Sequence, residues 1–572
     1  MKQTFLNWQP WSIVAAVIVV MATWRVVALH QRPAGIAKLT TELGSVAEFW
    51  GEPRPNTGGT RILFRQSTER GEGIFLGEVP CGRRHLLWQQ TEGEFNKGDF
   101  LHWGWSPDGK LFAYSRRPDK QSARELVIGN GQDGRTTGVV RVQASVVDLT
   151  WLSETALVFV DSHQNLYKVE RLGETRWGSP QSFAAEGEKP AKRPKGAEKK
   201  EPPIRGLAAL DETTVVFQRD QGVWTWTFGA SGPAQLWEAA TNVLVEYSLD
   251  SEKKHLLLHC RDVGGEALCS FHWPSRSSRN LARLPPGYAE HIEWLDGNGY
   301  VCVRGSILEV RRDPEGSPAD VAFSGGLNSC VGNGDGVYAV GSIAGEPLGI
   351  WKYDTGSDTL RCVVSNSRPA LKHASAVVPA SCSLTNAEGR RIRYRLWSPP
   401  VLKPQKRYPL MIGQVGPRWL EYPELIANAG AYFASVDVGA EGGRWEGAVL
   451  PVCEEIEGRC SIDKSSLFLY GVCGFVPHIN AVLEMEPDLW RGAILFSADS
   501  LPDLTRVRVP RILIDCGEDD PRVKTVRDYG TQAAASGTLV TVVLHEKAGH
   551  VYKSIAALRA RDEAVVKFLF GR

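Results

Sequence analysis

Two rhythms of apolar and polar positions divide this chain. From Leu43 to Val364 one phrase recurs: an aromatic or apolar residue, a polar turn, alternating strand residues, then a second turn. Its clearest copy is Trp105-Ser106-Pro107-Asp108-Gly109-Lys110-Leu111-Phe112-Ala113-Tyr114. Others run from Trp151 to Val160, from Tyr247 to Leu258 and from Trp294 to Val303, and three weaker ones begin near Phe49, Leu207 and Cys330. Short strands recurring every roughly 40 to 55 residues form sheets too small to bury a face alone, and stacking them in a ring supplies the missing cover. The pattern predicts a β-propeller of seven blades over 43–364. One segment interrupts it: 185–203 is rich in Lys, Glu and Pro with almost no apolar residue, and reads as a disordered, solvated loop between blades.

After Val364 the rhythm changes to apolar strands alternating with helices. Strands are expected at Leu410–Gln414, Tyr432–Val436, Leu467–Tyr470, Ala493–Phe496, Ile512–Asp515 and Leu539–Leu544, with helices at 424–429, 522–536 and 555–568 between or after them. Strands apolar on both faces belong to a parallel sheet covered by helices on both sides, so 381–572 reads as an α/β domain. At the other end, Trp11 to Trp24 is uncharged and mostly apolar, and Val26 to Leu29 extends it past Arg25. Together 11–29 is about long enough to span a bilayer, and no small-residue cleavage site follows. The expectation is an uncleaved transmembrane signal anchor behind a short flank at 1–10, in a single-pass membrane protein whose soluble domains are extracytoplasmic.

Composition narrows the functional classes. In 572 residues, 66 Lys and Arg face 65 Asp and Glu, so no basic excess points to nucleic acid. Nineteen Trp and 58 Gly suit a turn-rich β portion. Eleven Cys without a Cys-x-x-Cys pair make neither a dense disulfide framework nor a metal site. Cys453 and Cys460 are close enough in sequence to bridge, which spacing alone does not decide.

The stretch Leu467-Phe468-Leu469-Tyr470-Gly471-Val472-Cys473-Gly474-Phe475 carries the candidate chemistry. A buried strand runs into a glycine, a potential nucleophile and another glycine, then into a helix with Pro477 in its first turn. This is the outline of a nucleophile elbow, in which a strained turn lifts the nucleophile above the sheet and the next amide helps hold an oxyanion. Cys473 is the lifted residue and Gly474 supplies the amide. Gly-x-Ser-x-Gly occurs nowhere in the chain. Two later loops follow in the order of an α/β-hydrolase: an acid loop from Asp515 to Val523 and a histidine loop from Glu546 to Tyr552. The bland reading stands beside this one, with Cys473 a structural cysteine between a strand and a helix.

These loops resemble the catalytic domain of the prolyl oligopeptidase family, from about Ser381 to the carboxyl terminus. The Trp-Ser-Pro-Asp-Gly-Lys phrase is similar to the propeller repeats of that family and of TolB-type propellers. The resemblance implies a catalytic Asp three residues after Gly517 and three before Val523, namely Asp520, and a catalytic His following Gly549, namely His550. Tyr408 to Ile412 with Gly416-Pro417 resemble the strand and turn before the oxyanion hole, where an amide near Val415 would be the second donor. Asp437 to Gly443 resembles the family's Asn-Tyr-Arg-Gly-Ser-Gly-Gly loop.

Three departures fall at the chemistry. Cys473 replaces serine, Phe475 replaces the second glycine, and Gln414-Val415 stand where Tyr or His usually precedes the glycines. A thiol can serve in an elbow when a histidine draws its proton, and it would then be the most reactive of the cysteines. The expected architecture is an N-terminal transmembrane helix, a seven-bladed β-propeller and a C-terminal α/β-hydrolase domain. The expected activity is hydrolysis of peptide or small acyl substrates through an acyl-enzyme on Cys473, with no metal or organic cofactor. The alternative is a catalytically impaired relative acting as a membrane-tethered binding protein.

Overall fold

The computed structural model describes residues 49–571 apart from short interruptions, the longest at 92–101, 184–202, 366–373, 415–421 and 438–443. The expected anchor at 11–29, almost all of the polar loop at 185–203 and the oxyanion position Val415 lie outside the described residues. Among the described residues no helix is long and apolar enough to cross a membrane.

Each repeated phrase becomes the first strand, the turn and the second strand of a four-stranded antiparallel blade. Seven such blades run from Phe49–Pro55 to Thr359–Val364. The turn is made by its own side chains: Asp108 accepts from Ser106 Oγ at 2.7 Å and from the Lys110 amide at 3.1 Å, while Ser106 Oγ accepts from the Leu111 amide at 2.9 Å. Gly109 sits at φ +68°, where a side chain would be strained. The second strands are almost wholly buried, as in Ala156–Asp161, because each is covered on both faces by neighbouring blades. First strands of successive blades touch around the ring, and Ser329–Asn333 of the seventh meets Phe49–Pro55 of the first. Each blade is one continuous segment, so packing closes the ring: Ile62 and Phe64 lie against Val331, Tyr338, Val340 and Ile350. Asn333 Nδ2 donates to the Asn56 carbonyl across this seam at 3.1 Å.

The second domain is an eight-stranded sheet. Its strands are β1 (Ala380–Thr385), β2 (Arg391–Trp397), β3 (Tyr408–Gly413), β4 (Tyr432–Asp437), β5 (Ile462–Val472), β6 (Gly492–Phe496), β7 (Arg511–Gly517) and β8 (Leu539–His545). They stand in the order β1-β2-β4-β3-β5-β6-β7-β8. All pairs from β4 onward are parallel, while β2 pairs antiparallel with both β1 and β4. Helices α1 (Tyr422–Ala429) and α5 (Ile555–Phe570) cover one face; α2 (Trp445–Arg459), α3 (Val476–Met485) and α4 (Val523–Ala533) cover the other. Leu467 to Tyr470 in β5 are fully buried, as a central parallel strand requires. Cys453 and Cys460 are free thiols. The domains meet where the residues after the histidine loop reach the first blade: Ser554 bridges Thr68, and Lys553 pairs with the buried Glu72 at 3.3 Å.

Candidate active site

The elbow forms because β5 ends in a tight turn that only certain residues fit. A Cβ on Gly471 would come within 2.5 Å of Ile479 Cγ1, so the strand can pass α3 only without a side chain there. Cys473 takes φ +50°, the sparsely populated left-handed conformation of an elbow nucleophile, and Cys473–Phe475 make one 3-10 turn before α3. Phe475 departs from the glycine pattern without breaking this turn. Its φ of −86° and ψ of −17° are ordinary helical values, and its ring packs edge-on against Trp445 of α2 at 4.6 Å. The glycine usual at this place answers to space, and here the space between the turn and α2 admits an aromatic ring.

Asp520 and His550 are brought to the thiol by two loops joined through their backbones. The Glu518 amide donates to the His545 carbonyl at 3.0 Å and the Asp519 amide to the Ala548 carbonyl at 2.8 Å. Beneath them Asp515 is fully buried, its carboxylate meeting His545 Nε2 at 2.6 Å and accepting from the Tyr552 hydroxyl. Ser497, after β6, donates from Oγ to the His550 carbonyl at 2.9 Å. The histidine is thus held from both sides. His550 Nε2 lies 2.9 Å from Cys473 Sγ, and its Nδ1 lies 2.8 Å from Asp520 Oδ2.

Asp520 is buried, and burial alone would raise its carboxyl. Hydrogen bonds from His550 and the Arg522 amide, with the charge of Arg522, outweigh this and hold it below the ordinary carboxylate value. An ionised Asp520 favours the tautomer with the proton on Nδ1, which leaves Nε2 as the acceptor for a thiol proton. Arg522 Nη1 also lies 2.8 Å from Nδ1, but a nitrogen that donates to Asp520 has no lone pair to offer a guanidinium. The Asp520 contact therefore sets the tautomer, and Arg522 contributes through its charge.

Although an imidazole adjoins it, the Cys473 thiol stands above the ordinary thiol value. Burial pushes it up and the Asp499 carboxylate, 3.6 Å from Sγ, adds to this, while the Gly474 amide and Arg522 offset only part. Asp499 lies on the loop after β6, and Arg522 pairs with it and with Asp520 at once. Neither was singled out from the sequence. Arg522 falls inside the acid loop, two residues after Asp520, so its position was a signal; Asp499 carries no local pattern. Among the described residues no cluster of three or more His, Cys, Asp or Glu is placed to hold a metal.

A seven-bladed propeller ahead of a sheet of this order, with elbow, acid loop and histidine loop at the carboxyl ends of β5, β7 and β8, defines a propeller-bearing α/β-hydrolase fold. The particular likeness in fold is to solved peptidases of that build. The chain is similar to a prolyl endopeptidase structure at 13% identity, covering 94% of this chain and 91% of that one, with a TM-score of 0.68. It is similar to a puromycin hydrolase at 14% identity, covering 91% and 95%, with a TM-score of 0.68. It is also similar to the acylaminoacyl peptidase of Pyrococcus horikoshii at 11% identity, covering 91% and 95%, with a TM-score of 0.62. The prolyl oligopeptidase resemblance therefore holds in the fold of both domains. No protein-family model and no curated protein matches the sequence.

Proposed function

We propose that this protein hydrolyses peptide or other small acyl substrates through a thioester on Cys473. In this reading residues 11–29 anchor it in a membrane, with the soluble domains on the extracytoplasmic side. The observation that carries it is the unbroken line from Cys473 Sγ through both ring nitrogens of His550 to Asp520 Oδ2, at 2.9 and 2.8 Å, on a left-handed elbow. The sulfur attacks the acyl carbon while its proton passes to His550 Nε2. The Gly474 amide, with a second donor near Val415, receives the oxyanion. Collapse breaks the C–N bond, the leaving amine takes the proton from Nε2, and an acyl thioester remains. Water then gives a proton to Nε2 and attacks the thioester, which releases the acid and restores the thiol. Asp520 keeps the Nδ1 proton in place and balances the imidazolium. The likeness in fold to peptidases supports a peptide as the acyl donor.

The raised thiol and the carboxylate beside it favour a second reading, a membrane-tethered binding protein with an idle site. An acylating activity probe separates the two, applied to wild type, Cys473→Ala and His550→Ala. The hydrolase reading expects labelling of Cys473 that both substitutions abolish. Labelling elsewhere, or none in any of the three, supports the binding reading.

A further inference from the structure

Beside the thiol stands a charge that a Cys–His–Asp triad does not use. Asp499 Oδ2 lies 3.6 Å from Cys473 Sγ, and a Cβ on Gly474 would come within 3.5 Å of the same oxygen. The carboxylate therefore adjoins both the nucleophile and Gly474, the residue whose amide would receive an oxyanion. Negative charge at that place opposes a second negative charge forming on the substrate oxygen. Among the described residues its counter-ion is Arg522, which is itself shared with Asp520. About a third of each of the Asp499 and Arg522 side chains remains open to solvent, so an incoming group can reach them.

We propose that Asp499 is a specificity-determining residue that selects substrates with a free α-ammonium group on the residue contributing the scissile carbonyl. The proposal rests on the hydrolase reading above and names its substrate class: aminoacyl amides, aminoacyl esters and peptides cleaved after their first residue. Geometry chooses this cation over a basic side chain. An α-nitrogen lies about 2.5 Å from its own carbonyl carbon. That carbon must approach to about 3–3.5 Å from the sulfur. A hydrogen bond of about 2.8 Å from the ammonium to a carboxylate oxygen 3.6 Å from the sulfur closes the figure. A lysine or arginine side chain carries its charge several bonds further out, past Asp499. With an ammonium in place the carboxylate is neutralised at the reacting centre. With an N-acylated substrate that charge faces the oxyanion, and among the described residues Arg522 is the cation that offsets it.

The test is the rate at which Cys473 is alkylated by phenylalanyl chloromethyl ketone, with its α-amine free, and by the N-acetylated counterpart. Both are used near pH 6.5, and adducts are located by peptide mass spectrometry in wild type, Asp499→Asn and His550→Ala. In this step a C–S bond forms, the C–Cl bond breaks, chloride leaves and the thiol proton passes to His550. Wild type should prefer the free amine by about tenfold or more, the effect of one hydrogen bond between charged partners. Asp499→Asn should lower the rate with the free amine and raise it with the acetylated reagent, bringing the ratio near one. A ratio indifferent to Asp499→Asn, in protein whose Cys473 still reacts in a His550-dependent way, overturns the Asp499 assignment and leaves the hydrolase reading standing. Reaction no faster than in His550→Ala with either reagent overturns the hydrolase reading and this inference with it.

Discussion

Replacing Gly517 by alanine drives a methyl group into the backbone of the histidine loop. The added Cβ would stand 2.1 Å from the Ala548 carbonyl oxygen and 2.3 Å from that of Gly549, both backbone atoms with no rotamer to yield. A carbon and a carbonyl oxygen tolerate about 3.3 Å, so the acid and histidine loops must part by roughly 1 Å. His550 follows Gly549 directly, and its 2.8 Å contact with Asp520 would stretch to nearly 4 Å, beyond hydrogen bonding. Strain of this kind costs about 1–3 kcal/mol, while a 1 Å misplacement of a reacting group can cost about a hundredfold in rate. Gly549→Ala is the control, because its Cβ would meet nothing within 4 Å. Urea unfolding gives the stability, and iodoacetamide alkylation of Cys473 across pH gives the state of the triad. Gly517→Ala should lose about 1–3 kcal/mol and acquire the alkylation profile of His550→Ala, whereas Gly549→Ala should match wild type. Folded Gly517→Ala protein that keeps the wild-type profile would refute the claim that this backbone contact places the histidine.

Two further outcomes concern the frame around the site. Glu72, 1% exposed, is met by Arg65 of its own blade and by Lys553, just after the histidine loop, so Glu72→Ala strips two cations of a shared buried carboxylate. Its expected cost is about 3 kcal/mol in urea unfolding, and a loss below about 0.5 kcal/mol would show the contact to be idle. Asp562 lies buried in α5; burial pushes its carboxyl up to about 6, with Asp515 and Glu563 adding to the rise and Arg561 opposing it. Because the folded carboxyl binds its proton more tightly than the unfolded one, this contribution is complete below the unfolded value near pH 4. It is lost as pH rises to about 6, a change of about 3 kcal/mol. Asp562→Asn should remove that slope from the stability profile, and parallel profiles for the two proteins would contradict it.

What could be read from the sequence was what local chemistry writes. The Ser106-Asp108-Gly109 turn is satisfied within its own few residues, and Asp250 repeats the device by accepting from the amides of Lys254 and His255 at 2.7 and 3.0 Å, so the blades announce themselves. The elbow is legible in its own glycines, whereas Asp520 and His550 are legible through the resemblance of their loops, at set spacings from Gly517 and Gly549, to the prolyl oligopeptidase family. Helix α2 is hard to read in the sequence although its buried residues Trp445, Ala448, Val449, Val452, Cys453 and Ile456 keep helical spacing, since Pro451 and a run of acids blur the stripe. The hairpin of β1 and β2 is equally faint in the sequence: β1 is half polar, and only its pairing with β2 makes it part of the sheet. Asp499 was beyond reach for a different reason. The meaning of its charge depends on a distance to Cys473 across 26 positions of chain, which no local pattern encodes.

The propeller seam has a consequence in time. Within each blade, strands pair with their neighbours in sequence, so every blade can assemble from contacts close along the chain as soon as its segment is available. The contact between Asn333 and Asn56 is different, for it closes a loop of 277 positions and must wait for the last blade. Among the described residues no strand is exchanged there, and side chains of the first and seventh blades hold the ring shut. A ribosome-bound chain would thus carry an arc with two unpaired blade faces until residue 364 emerges, and the sheet that bears Cys473 is made only after that. The window for misassembly is set by the seam, and substitutions at Ile62, Val331 or Val340 should lengthen it more than equal losses of volume inside any one blade.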